Sequence, residues 1–399
     1  MIIVDLKKLL IAYAAAFIGP FGGNAIISLF KVLETELSTS YQLITLSITF
    51  MMIPFAIIQF FSGTLSDLFN RQYVCVTGLL TYSLGAFLVS ISRTFEFLIF
   101  GRIIQGIGYG ILFPVIVALI GDLSSSNKRG KVMGFLGAST TAGVAFGPLC
   151  AGFLVGSGWQ IIFYIISAGS LLIAILFGFI YRNFSPPPAT EKQGMRNFFS
   201  QIKKTLTWNI LLFSIVGFVV FISYIGMNVS IGDRYAMLFP VLSEQEVSFY
   251  TGIIISFAGI SGIIASPLAG IAIDKLGRKK TIYIGAIILA ITLSIFIFGN
   301  SFLSFLLLFY CLGTGAAILW ASYNTISVEL DPTARGTVSS ISSGFRFFGY
   351  SLASPIYILF GIPNLYFACI IFSFITLGFL FFLQVPRQSS ALVTSSAFP

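Results

Sequence analysis

The stretch Gly63-Thr-Leu-Ser-Asp67-Leu-Phe-Asn-Arg71 returns 207 residues later as Gly270-Ile-Ala-Ile-Asp274-Lys-Leu-Gly-Arg278. Each copy is short and polar, and each joins two long apolar runs. The same offset links Asp122 to Glu329, and an offset of 206 links Arg129-Gly130 to Arg335-Gly336. Gly143 and Gly349 lie equally far beyond those Arg-Gly pairs, and Pro148 lies near the position matched by Pro355. One short match is weak. Several anchors, in one order and at one spacing, read as a duplication of about half the chain.

What was duplicated follows from the runs between the anchors. Of the 399 residues, 57% are hydrophobic and 9% charged, with a mean hydropathy of +0.99. Soluble domains carry roughly 25% charged residues, so this chain has too little polar surface to face water. Blocks such as 111–120 and 171–180 sit within charge-free stretches of about 20 residues, enough to cross a ~30 Å hydrocarbon layer. Backbone groups in lipid must pair internally, leaving helices or closed barrels, and unbroken rather than alternating runs select helices. Twelve spans are predicted, at 9–29, 44–65, 73–91, 97–120, 132–155 and 161–180, then 210–231, 250–273, 281–298, 302–328, 338–359 and 365–383. The fold class is an all-α membrane protein of two pseudo-symmetric six-helix bundles, 1–181 and 209–399. A hydrophilic stretch with Pro186, Pro187 and Pro188 (182–208) reads as the linker. The N-terminal run shows no small-residue cleavage site and is read as the first span, not a leader.

Charge gives the orientation. With the N-terminus cytoplasmic, 17 of the 22 Lys and Arg residues fall on that side. Lys31, Arg93 and Arg234 fall on the other, and Arg102 and Arg346 lie within spans. This is a strong positive-inside pattern, predicting a multi-pass plasma-membrane protein with both termini cytoplasmic. The net charge of +9 therefore reports topology, and no soluble basic domain exists to bind nucleic acid. The absence of histidine removes Ser-His-Asp chemistry, His-ligated metals and His proton relays. Cys75, Cys150, Cys311 and Cys369 all fall in apolar blocks and read as packing residues.

At these residues the chain resembles the Major Facilitator Superfamily over nearly its whole length. The two repeated loops resemble that family's Gly-x-Leu-x-Asp-x-x-Gly-Arg-Lys motif, the second more closely, since Leu68 and Asn70 depart from it in the first. Asn tolerates the left-handed conformation, so the turn is expected to survive there. Arg102-Ile-Ile-Gln105-Gly106-Ile-Gly108 resembles the fourth-span motif. Gly143-Val-Ala-Phe-Gly147-Pro148-Leu-Cys-Ala-Gly152 resembles the fifth-span motif of the drug:proton antiporter group. The resemblance implies a gate on the cytoplasmic side. Asp67 would face the start of span 11 and Asp274 the start of span 5, with Arg71–Asp122 and Arg278–Glu329 as charge pairs and Arg335 beside them. In that fifth-span segment Gly143, Gly147 and Gly152 strip side chains from one helix face and Pro148 removes a backbone hydrogen bond, so close packing or bending of spans 5 and 8 is expected.

A guanidinium within a span is costly unless it faces a cavity or a partner. Arg102 and Arg346 are thus candidates to hold an anionic group, the alternative for Arg102 being snorkelling to the surface. Gln105, Asn24, Tyr109, Phe113, Tyr224, Asn228, Trp320, Tyr323 and Asn324 are further cavity candidates. All 13 acidic residues fall near predicted span ends or in loops. A cationic cargo would lack a buried counter-charge, and if protons couple transport, Asp67, Asp122, Asp274 and Glu329 are the groups left to carry them. The expected function is secondary transport of a small molecule by alternating access, most like drug/proton export. Uptake of an anionic or neutral metabolite is the alternative, and a polytopic enzyme is a third class for which no catalytic cluster appears. The partners expected are the bilayer and a small-molecule substrate, with no nucleic acid, no metal and no cofactor, and a monomer as the working unit.

Overall fold

A computed structural model describes residues 6–60, 70–124, 129–182, 205–331 and 334–385, and these are helical with no strand among them. The spanning helices are α1 (Leu6–Glu36), α2 (Tyr41–Phe60), α3 (Arg71–Ser90), α4 (Phe95–Leu123), α5 (Arg129–Leu154) and α6 (Gln160–Ile180). The second set begins α7 (Trp208–Leu238), α8 (Glu244–Leu276), α9 (Arg278–Phe296) and α10 (Phe302–Glu329). The last helical stretch, Arg335–Phe382, has 48 residues. At 1.5 Å per residue it would be about 72 Å long if straight, more than twice the hydrocarbon thickness. Gly361 breaks it, with φ 66° and ψ 178°, and Pro363 follows at the start of the next helix, where its missing N–H is tolerated. The two pieces are α11 (335–360) and α12 (362–382). The chain returns to its starting face, because Lys279 at the head of α9 donates to the Leu383 carbonyl at 2.9 Å. Asn209 at the head of α7 likewise bonds Gln384.

Polar punctuation starts the helices where the sequence supplies it. Thr94, Thr207, Ser243 and Ser301 each accept a backbone N–H of the first turn, and Ser243 with Glu246 forms a capping box, satisfying donors that would otherwise be orphaned. Asn70 also acts as a cap, at φ −62°, accepting from Gln72 N. The left-handed turn expected there belongs only to its repeat partner Gly277, at φ 87°. In the first copy the described end of the loop is an Asn70 side-chain cap instead, and the rest of that loop lies outside the described residues.

The duplication is visible in packing. Gly106 in α4 lies so close to the Met51 carbonyl of α2 that a Cβ would overlap it, and Gly313 in α10 stands in the same relation to the Ala258 carbonyl of α8. A Cβ at Gly78 would sit 2.9 Å from the Gly108 oxygen, and one at Gly285 2.9 Å from the Gly315 oxygen. All of these pairs are 207 apart. Across the halves, α2 meets α11 and α5 meets α8. Leucine, isoleucine and phenylalanine side chains such as Phe179, Ile291 and Phe381 cover the outside, where lipid replaces water as their contact.

Several helices run further than the predicted spans. Among them α1, predicted to end at 29, runs to Glu36, and α7, predicted to end at 231, runs to Leu238. Hydropathy stops at the first charges, whereas a helix continues through Asp233 and Arg234 as long as its backbone bonds are made.

Candidate functional site

Between the halves lies a cavity of about 210 Å³. It is lined by α1, α2, α4 and α5 from one repeat and α7, α8, α10 and α11 from the other; α3, α6, α9 and α12 stand behind them. Its wall is an aromatic cage of Phe55, Tyr109, Phe113, Phe221, Tyr224, Trp320, Phe347 and Tyr350. Phe55 stacks on Tyr109 at 5.1 Å and meets Phe347 of the other half edge-on at 4.6 Å. Asn24, Thr140, Thr141 and Ser266 are the polar side chains on it besides the tyrosines. Asn24 donates to the Pro20 carbonyl at 2.8 Å and accepts the Tyr350 hydroxyl at 3.1 Å, tying α1 to α11. No charged side chain is among the described lining residues.

Of the predicted cavity residues, Asn24, Tyr109, Phe113, Tyr224 and Trp320 line it. Six do not. Arg102 is fully buried behind α1 and neither snorkels nor meets the cavity. It donates to the Ser47 carbonyl at 3.2 Å, Gly22 at 3.3 Å, Gly23 at 3.0 Å and Gln105 Oε1 at 2.9 Å. The Gly22 and Gly23 carbonyls are available because α1 changes to a 3-10 turn at Ile26–Leu29, freeing acceptors at the negative end of a helix dipole, whereas Ser47 lies within α2. Arg102 and Gln105 thus clamp α1 to α2 and α4. Asn228 turns back on the Tyr224 carbonyl. Tyr323 bonds the Ser342 carbonyl and stacks on Phe213. Asn324 accepts from Arg346 Nη1 at 3.1 Å, and Arg346 itself lies one ring behind the wall, 3.5 Å from the Trp320 centroid. Sequence reasoning missed Phe55, Phe221, Phe347 and Tyr350. Each is an ordinary apolar-run aromatic, and only its helix rotation distinguishes it from a lipid-facing one.

One end of the interface is packed and the other is open. On the face away from the chain ends, the Tyr41 hydroxyl donates to the Val229 carbonyl at 3.0 Å, Thr49 to Ser351 at 2.6 Å and Ser354 to Thr45 at 2.8 Å, each crossing the halves. There the Tyr357 hydroxyl also donates to Asp233, a half-buried carboxylate inside α7 that the predicted span boundary had left outside. Toward the basic face, the cavity residues Thr140 and Thr141 continue along α5 to Gly137 and Gly134. Ser266 continues along α8 to Gly270 and Asp274. Among the described residues, a Cβ at Gly134, Gly137 or Gly270 would meet nothing within 4 Å, which leaves a mouth between α5 and α8.

Among the described residues the predicted gate makes no charge pair across the halves. Arg71 pairs with Asp122, and Arg278 with Glu329 through both carboxylate oxygens, but each pair joins helix ends within one half. Asp274 and Arg335 are exposed. The structure does not pair Asp274 with any side chain described on α5. Asp67 lies outside the described residues. The fifth-span motif is divided too. Gly143 and Gly147 press on the Phe17 and Phe21 backbone of α1, and of the motif's glycines Gly152 alone meets α8, at the Ser248 and Phe249 carbonyls. Gly252 and Gly259 of α8 reciprocate against Pro148 and Ala145. The expected packing of spans 5 and 8 is thus carried mainly by glycines of α8, because the 143–147 face of α5 is turned to α1.

Comparison with known proteins agrees with this architecture. The family model described as the Major Facilitator Superfamily matches residues 12–354 and 251–398. The chain is similar to multidrug resistance protein 2 of Bacillus subtilis strain 168, 26% identical over 62% of this chain and 62% of that protein. It is 28% identical to a cis,cis-muconate transport protein of Acinetobacter baylyi, over 82% of this chain and 81% of that one. The crystal structure of a D-xylose-proton symporter superposes with a TM-score of 0.75 at 18% identity, covering 96% of this chain and 98% of the other.

Proposed function

The chain belongs to the Major Facilitator Superfamily, and on that premise we propose that this membrane transporter exports small planar aromatic compounds by alternating access. The observation that carries the reading is the aromatic cage shared by both halves, with its mouth on the basic face. Rings stack on rings without requiring one hydrogen-bond pattern, which suits a range of flat molecules better than a single polar metabolite. The positive-inside pattern supports placing the mouth in the cytoplasm, so cargo enters from inside. In this reading the halves 1–181 and 209–399 rock as units about the cavity, the 182–208 segment joins them, and the protein acts as a monomer. When α5 approaches α8, Asp274 closes on the start of α5 and the mouth shuts.

The test is efflux of a planar aromatic dye from proteoliposomes containing the purified full chain, with and without an imposed pH gradient. Gradient-dependent movement out of the compartment facing the basic side supports an antiporter; movement indifferent to the gradient removes proton coupling. No movement of any aromatic probe sinks the export reading. A second reading, uptake of an anionic metabolite, is favoured by Arg346 behind the cavity wall and by the likeness to a muconate transport protein. Net influx of an aromatic acid in the same vesicles would select it.

A further inference from the structure

We propose that the Trp320 wall of the cavity is an anion-selective subsite set by Arg346, so that the cargo is a planar aromatic body carrying one carboxylate or similar anionic group. This rests on the reading of the cavity as the binding site, but not on the direction of transport.

Arg346 is 4% exposed and sits within α11. Its guanidinium lies 3.5 Å from the Trp320 centroid, 4.7 Å from Phe347 and 5.5 Å from Phe221, and all three rings line the cavity. Its Nη1 donates to a neutral amide, Asn324, while Nε is buried with no partner. Among the described residues no carboxylate forms an ion pair with it. An arginine does not shed its proton to escape such a site, so the charge is present in full. Salt screens buried charges far less than exposed ones.

Arg102 supplies the contrast within the same molecule. It too is buried, but it spends four hydrogen bonds on the Gly22, Gly23 and Ser47 carbonyls and the Gln105 amide, the two glycine carbonyls lying where α1 passes into its 3-10 turn. Arg346 has no such cluster. Aromatic faces attract it through their quadrupoles but contribute no net negative charge. The potential on the cavity side of Trp320 is therefore positive, and no acidic side chain among the described lining residues offsets it. A cationic cargo is repelled there. An aromatic acid can stack in the cage and direct its carboxylate to the Trp320 wall. One uncompensated cation matches one anionic group.

The experiment measures equilibrium binding of three shape-matched probes to the purified full chain: 2-naphthoate, 2-naphthalenemethanol and 2-naphthylmethylammonium. The wild-type protein should favour naphthoate over the alcohol at least tenfold, about 1.4 kcal/mol, with the ammonium weakest. The naphthoate-to-alcohol ratio should fall to near one in Arg346→Gln and persist in Arg346→Lys, which keeps the charge. A wild-type ratio near one overturns the proposal, as does a preference that survives intact in Arg346→Gln. The wild-type ratio decides even if the Gln variant fails to fold. Failure of the cavity reading looks different: none of the three probes binds, and the subsite falls with it.

Discussion

Arg102 shows how far a residue type can be read and where that stops. Its cost inside a span was legible, and so was the demand for partners. The partners were not, because they are carbonyls of Gly22, Gly23 and Ser47, residues that advertise nothing in sequence. The availability of the two glycine carbonyls comes from a 3-10 turn in α1 that the apolar run does not announce. Arg102→Met should leave several buried carbonyls without donors, each costing about 1–3 kcal/mol. The expected result is a lower thermal unfolding midpoint in detergent with no change in the charge preference of the cavity. Arg102→Lys should rescue little, since an ammonium lacks the fork that reaches two helices at once. An Arg102→Met protein as stable as wild type would remove the clamp.

At the scale of elements, the same contacts recur at one offset, and glycine is their currency of closeness. Gly106→Ala and Gly313→Ala should each destabilise by about 1–3 kcal/mol, the range for overpacking, because a Cβ would enter a neighbouring helix backbone. Gly137→Ala, with nothing within 4 Å, should not lower the unfolding midpoint. The glycines were visible in the sequence; which of them touch a backbone was not, since spacing gives the face of a helix but not the neighbour on it. Asp233 was missed for a related reason. It lies beyond the apolar run yet inside α7, where Tyr357 holds it. Tyr41 and Thr49 each contribute a hydrogen bond across the closed face, worth about 1 kcal/mol apiece. The double variant Tyr41→Phe, Thr49→Val should therefore speed labelling of a cysteine placed at Ser351 by roughly tenfold or more. The probe is an impermeant maleimide added from the face away from the chain ends, in a protein lacking its four native cysteines. Unchanged labelling would show that the closure does not depend on them.

For the whole molecule, the contrast between a packed face and an open one predicts motion. Spin labels at Gly137 and Gly270, across the mouth, should approach one another when the transporter turns to its other state, while a pair at Tyr41 and Phe239 on the opposite face should separate. Two fixed distances under every ligand and pH condition would contradict rocking halves. The sequence by itself determined the solvent, the helical class, the duplication and the family. Those depend on quantities that run along one dimension: how long an apolar run is, where charges interrupt it, and at what spacing motifs recur. Even the twelfth span was legible as a run, although its helix is continuous with the eleventh apart from Gly361. Only the tertiary structure decided that Arg102 braces a fold, that Arg346 stands unneutralised behind Trp320, and that the interface is open on the basic face. Each of these depends on how a helix is rotated and on what stands across from it. Partners up to 326 residues apart, brought together by packing, leave no periodic trace along the chain.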